Sequence, residues 1–254
     1  MAYDAHTHLD FPAFDDDRET VCADARAAGV TGWLVAGADP DHWERAAAVA
    51  HQTGAQLALG VHPMFVRDDR LAADLDRLAS LPMDAVGECG LDHPAAPTAA
   101  QRDAQRDAFR AQLRLARERD LPVVLHLVRA TSEALLLMRA DGLPAAGGMV
   151  HRWSGKPPQV EGALALGLHL SFGPELLNPK NTTLRESLRR VPLNRLLLET
   201  DCPELPVEGR ARGRPSDVLR VADIAAQVRR EPLESLLSAT EANARALLRL
   251  PPSP

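Results

Sequence analysis

The chain has 254 residues, 45% of them hydrophobic and 25% charged, a composition that suits one folded domain. A formal net charge of −6, with Lys156 and Lys180 as its only lysines, excludes a protein that coats duplex DNA with a basic face, so any nucleic-acid contact must be local. No apolar run reaches the ~18 residues of a membrane span; the expectation is a cytoplasmic protein with no membrane contact, no obligate protein partner and reduced thiols at Cys22, Cys89 and Cys202.

Short apolar runs alternate with amphipathic stretches. A strand is expected over 2–6 and a helix over 18–28, then a strand over 32–36 and a helix over 41–53 with Asp39 or Asp41 as its N-cap. Strands follow at 56–61, 85–87, 122–125, 148–150, 168–171 and 195–198. Helical patterns lie between them at 68–79, 99–119, 130–141, 158–166 and 182–190. After a Pro-, Gly- and Arg-rich loop over 203–215 come helices at 216–229 and 233–248, and Pro251–Pro254 reads as a frayed tail. Eight strands alternating with helices predict a parallel sheet covered on its outside. At this length the sheet is expected to close into a TIM-like (β/α)8 barrel, an α/β fold that can be distorted, as a single domain over 1–254. No G-x-G-x-x-G follows the first strand, which disfavours a dinucleotide fold.

The polar residues then fall into place. His6 and His8 end the first strand on one side, because strand side chains alternate. His62 follows the third strand, Glu88 the fourth, His126 and His151 end the fifth and sixth, and Asp201 lies past the eighth with Glu199 two residues earlier. A barrel builds its active site at these carboxyl ends. A single histidine there would be an ordinary polar contact, but five of the chain's nine collect at such ends. His42, His51 and His169 read as surface or packing residues. Imidazole and carboxylate together suit Zn²⁺ or Mn²⁺, and with water Mg²⁺. Two divalent ions are expected: His6, His8 and Asp201 on one, His126 and His151 on the other, with Glu88 bridging them. Asp201 is placed to take a proton from a bound water.

These motifs resemble the TatD family of metal-dependent deoxyribonucleases, within the wider amidohydrolase group. They run in order as Asp4-Ala5-His6-Thr7-His8-Leu9-Asp10, Gly60-Val61-His62-Pro63, Gly87-Glu88-Cys89-Gly90-Leu91-Asp92, Leu121–His126, Val150-His151-Arg152-Trp153-Ser154-Gly155, Leu198-Glu199-Thr200-Asp201-Cys202-Pro203 and Thr240-Glu241-Ala242-Asn243. The resemblance implies a dinuclear site held by His6, His8, Glu88, His126, His151 and Asp201, with His62 and Glu199 as further active-site positions. It also implies phosphodiester hydrolysis at a DNA end or on a short single strand, through attack of a metal-bound hydroxide. The chain departs from the family pattern in its substrate shell: the arginine after the fifth strand comes late, at Arg129, His93 stands where an aromatic residue is common, and Trp153 replaces a phenylalanine.

Candidate substrate contacts are Arg129, Arg210 and Arg212 (with Arg214 and Arg67 of the same kind), whose guanidinium forks suit phosphate, and Trp153, whose ring could stack on a base. The alternative is a hydrolase of an ester, amide or aminoacyl-tRNA ester that uses the same ions. Glu88, in the place of a carbamylated lysine, argues against one amidohydrolase subgroup.

Overall fold

The computed structural model describes residues 1–251, so residues 252–254 of the expected tail lie outside the described residues. Eight parallel strands, β1 (Ala2–Thr7), β2 (Val30–Gly37), β3 (Gln56–Leu59), β4 (Ala85–Asp92), β5 (Val123–Val128), β6 (Gly148–Val150), β7 (His169–Phe172) and β8 (Leu196–Leu198), pair in chain order within one sheet. The helices are α1 (Arg18–Ala27), α2 (Trp43–Thr53), α3 (Leu71–Ser80), α4 (Ala99–Arg119), α5 (Thr131–Asp141), α6 (Pro157–Leu164), α7 (Thr182–Arg190), α8 (Val218–Arg229) and α9 (Leu233–Leu247). The TIM-like barrel expected from the alternation is thus present. Its distortion is at the seam, where the end of β1 meets the segment after β8 through one isolated bridge, Thr7 to Cys202, and no ladder joins β1 to β8. Two backbone hydrogen bonds hold that seam at the mouth: the His8 amide donates to the Cys202 carbonyl at 2.8 Å and the Asp201 amide to the His6 carbonyl at 3.0 Å. Deeper in, the buried Asp4 carboxylate accepts from the Thr200 amide at 2.8 Å and its hydroxyl at 2.6 Å. The seam therefore fixes His6 and His8 beside Asp201.

The large apolar cluster lies between the sheet and its helices, as the periodicity requires. A second cluster fills the floor of the barrel, where Tyr3, Ala5, Leu34, Ala58, Val124 and Leu197 pack on Ala244 and Leu247 of α9. The last helix plugs the end opposite the site, so the mouth is the open end. Asp39 caps the short 3₁₀ turn Pro40–His42 just before α2 by accepting from the Asp41 amide. The three cysteines are free and buried, and no helix among the described residues is long and apolar enough to cross a membrane.

Three strands end more than one residue away from the sequence expectation. β3 stops at Leu59, two residues short of the expected end, while β4 continues to Asp92 and β5 to Val128, so Glu88 and His126 lie inside strands and not at their tips. The apolar runs stop at Gly87 and Leu125 because polar side chains begin there, yet the ladder goes on, pairing Cys89 with Leu125 and Gly90 with His126. Glycine makes this approach possible. A Cβ on Gly90, whose φ is +145°, would sit 2.1 Å from the His126 carbonyl oxygen.

Gly90→Ala is therefore expected to cost at least about 1–3 kcal/mol, the usual penalty of overpacking. That corresponds to a fall in thermal midpoint of about 2–4 °C per kcal/mol, read by calorimetry; an unchanged melt would show that the β4–β5 backbone gives way freely. His169, buried in β7, has its pKa lowered to about 4 by desolvation and the nearby Arg195. The folded state resists protonation while the unfolded chain accepts it near 6.5, so this stability is complete above pH 6.5 and lost as pH falls toward 4. A shift of that size corresponds to about 3 kcal/mol. Urea titrations between pH 4 and 7 should show that slope flattened in His169→Gln.

Candidate metal centre

Seven of the expected residues meet at the mouth, and Glu88 lies at their centre with 2% of its surface exposed. Its two oxygens face opposite ways. Oε1 lies 3.4 Å from His6 Nε2 and 3.3 Å from His8 Nε2. Oε2 lies 3.0 Å from His151 Nε2 and 3.5 Å from His126 Nδ1. Asp201 Oδ1 completes the first group at 3.8 Å from His6 and 3.5 Å from His8. Burial alone would raise the Glu88 carboxyl, but His6 and His151 with hydrogen bonds from His126 and His151 hold it well below its ordinary range.

The residues behind decide which nitrogen faces inward. His8 Nδ1 donates to the Ala36 carbonyl at 3.0 Å, which leaves the Nε2 lone pair toward Glu88. His126 Nε2 donates to Asp92 Oδ2 at 3.2 Å, so Nδ1 is the free donor atom. Glu199, fully buried, stands 3.4 Å behind His151 Nδ1. His62 is oriented the other way. Its Nδ1 accepts from the Met64 amide at 3.1 Å, so in the neutral ring Nε2 carries the proton and points to Glu88 Oε2 at 3.9 Å. His62 thus turns an N–H toward the site, although its ligand atom also lies within 4.8 Å of those of Glu88 and His126. Burial lowers its pKa to about 3, which keeps it neutral.

This donor set fits divalent ions. His6, completely buried, has neither ring nitrogen in a hydrogen bond, an arrangement that costs free energy unless another partner satisfies them. His126 Nδ1 and His151 Nε2 lie 3.1 Å apart. Burial pushes both imidazoliums down, but Asp92 and Glu88 outweigh it at His126, and Glu88 and Glu199 at His151, so both pKa values rise. The acids draw positive charge to the spot where a cation would supply it. Ligand atoms of His6, His8 and Asp201, and of His6, Glu88 and His151, lie within 4.8 Å of one another.

The substrate shell differs from expectation. Trp153 is 2% exposed and forms a wall of the mouth cavity, so it offers no free face for a base. The loop after β8 does lie at the mouth end, but Arg210 reaches Asp217 at 3.3 Å, and Arg212 pairs with Asp17 and lies 4.4 Å over the Phe14 ring. Arg214 turns toward Asp24 at 3.9 Å, and Arg67 pairs with Asp41 at 3.0 Å. Sequence reasoning missed Asp92 and Arg152, although both stand within the quoted motifs. Arg152 donates from Nη1 to Asp201 Oδ2 at 3.1 Å, its Nε pairs with Glu175, and its amide donates to Glu199 Oε1 at 2.6 Å. It lines a cavity of about 580 Å³ with His126, His151, Asp92 and Asn181.

The family model for TatD related DNase matches residues 3–249. This chain belongs to the TatD family. It is 32% identical to the uncharacterized metal-dependent hydrolase YabD of Bacillus subtilis, over 98% of this chain and 100% of YabD. It is 34% identical to the 3'-5' ssDNA/RNA exonuclease TatD of Erwinia billingiae, over 98% of this chain and 99% of that one. The crystal structure of YjjV, a TatD homolog from Escherichia coli K12, superposes with a TM-score of 0.87 at 32% identity, covering 98% of each chain. The chain is accordingly a metal-dependent hydrolase acting on ester bonds, and the TatD barrel is its fold.

Metal should also stabilise the fold. Manganese or zinc at 100 times its dissociation constant adds about 2.7 kcal/mol, or roughly 5–10 °C in midpoint for a chain of this size. Scanning fluorimetry of protein first stripped with a chelator should show that rise in the native chain and little of it in Glu88→Gln. An equal rise in both would remove Glu88 from the site.

Proposed function

We propose that the chain is a nuclease of the TatD type that cleaves phosphodiester bonds at the end of a single strand. The observation that carries this reading is Glu88, whose two oxygens address separate imidazole groups, the arrangement a carboxylate needs to bridge two ions. His6, His8 and Asp201 would hold one ion and His126 and His151 the other. Bound there, the ions would acidify a water and offset charge on the phosphoryl group. Asp201, whose Oδ2 is held by Arg152, would take the proton of that water. His62, with its proton on Nε2, donates to an oxygen of the scissile phosphate. Asp92 and Glu199 are positioning residues behind His126 and His151. Relatives named as 3'-5' exonucleases on single-stranded DNA and RNA support an end-directed reaction on a single strand.

The test offers metal-loaded protein a 5'-labelled single strand, the matching duplex, and a panel of carboxylic esters, amides and aminoacyl-tRNA. The expected result is stepwise shortening of the single strand, reduced about a thousandfold or more in a folded Glu88→Ala protein. Ester or amide turnover with an intact oligonucleotide would replace the nuclease reading with the alternative. Near-normal activity in Glu88→Ala would remove the bridge.

A further inference from the structure

Nearly every cation near the mouth already has an acid. Arg67 and Arg70 hold Asp41, Arg152 holds Asp201, Arg210 holds Asp217 and Arg212 holds Asp17. Arg129, Lys156 and Lys180 differ: all three are exposed, and none enters an ion pair among the described residues, but Lys180 lines neither the mouth cavity nor the space beside it, whereas Arg129 and Lys156 share one. That space is a cleft of about 640 Å³, lined also by Thr131, Ser132, Ser154 and Gln159. One carboxylate also lines it, Glu133, but Arg106 at 3.0 Å and His93 at 2.9 Å already engage that group. The cleft lies past the ends of β5 and β6, the strands that carry His126 and lead to His151. It shares Val128 and Ser154 with the 580 Å³ cavity that those histidines line, so the two spaces adjoin.

We propose that the Arg129–Lys156 cleft binds a backbone phosphate of the same single strand, at least one nucleotide away from the bond being cut. This rests on the nuclease reading and adds how the strand is gripped. A guanidinium fork and an ammonium beside hydroxyl donors match a phosphodiester oxygen pair. Both cations are solvated, so a free anion would bind weakly there. A phosphate tethered to a group already seated at His126 and His151 arrives at high effective concentration, and the two contacts reinforce each other. The cleft therefore selects oligonucleotides over small phosphodiesters, and it confines the basic surface of an acidic protein to one short stretch of strand.

The experiment measures binding of a fluorescein-labelled single-stranded octamer by anisotropy, in chelator, across a salt series. Turnover with metal of the same octamer and of bis(p-nitrophenyl) phosphate is measured beside it. In Arg129→Ala/Lys156→Ala the octamer dissociation constant should rise about tenfold or more, and the salt slope should fall by about 0.7, the value for one phosphate contact on a single strand. The octamer-to-small-ester ratio of kcat/KM should fall by about the same factor, through KM. Arg220→Ala/Arg249→Ala removes equal charge from other faces and controls for net charge. Unchanged affinity and slope in the first variant, or an equal loss in the control, would overturn the proposal while leaving nuclease activity standing. A native protein that neither binds nor cuts the octamer would overturn the nuclease reading and this inference with it.

Discussion

The molecule is organised around one buried carboxylate. Taking Glu88 out of water is costly unless charge or hydrogen bonds compensate, and its two oxygens face four imidazole nitrogens at 3.0–3.5 Å, the place where a bound cation would supply that charge. Much of the surrounding architecture follows from keeping that group in place. Gly90 lets β4 run against β5 so that His126 comes alongside. Asp4 and Thr200 tie the first strand to the segment after the last, which brings His6 and His8 to the same centre. The apolar floor under α9 closes the opposite end and leaves the mouth as the open face.

A second layer of residues sets what each imidazole can do. Ala36 and Asp92 each accept one ring proton, from His8 and His126, and so aim the other nitrogen inward. Met64 does the reverse to His62, which turns the ring's N–H toward the site. Identical side chains around one cavity thus take different roles because their backbone and carboxylate partners differ.

The barrel and the candidate metal residues are legible in the sequence because both are written in local pattern. Apolar runs at strand spacing, helical periodicity between them and histidines at run ends need no knowledge of distant contacts. The substrate shell was not legible in that way. Arg210 and Arg212 have the right chemistry for phosphate, but Asp217 and Asp17 reach them first. Trp153 has the right ring, but the packing of the mouth wall covers its faces. Arg152 lies next to His151 in the chain and was overlooked because its partners, Asp201 and Glu175, come from other strands' loops.

By itself the sequence determined the alternating architecture, the family and the identity of the residues that could hold ions, since these depend on residue type and spacing along the chain. Only the tertiary structure decided which oxygen of Glu88 faces which imidazoles, which ring nitrogen carries the proton, and which cations remain unpaired. Those outcomes depend on distances of a few ångströms between segments far apart in the chain, and hydrogen bonds and ion pairs act only at that range.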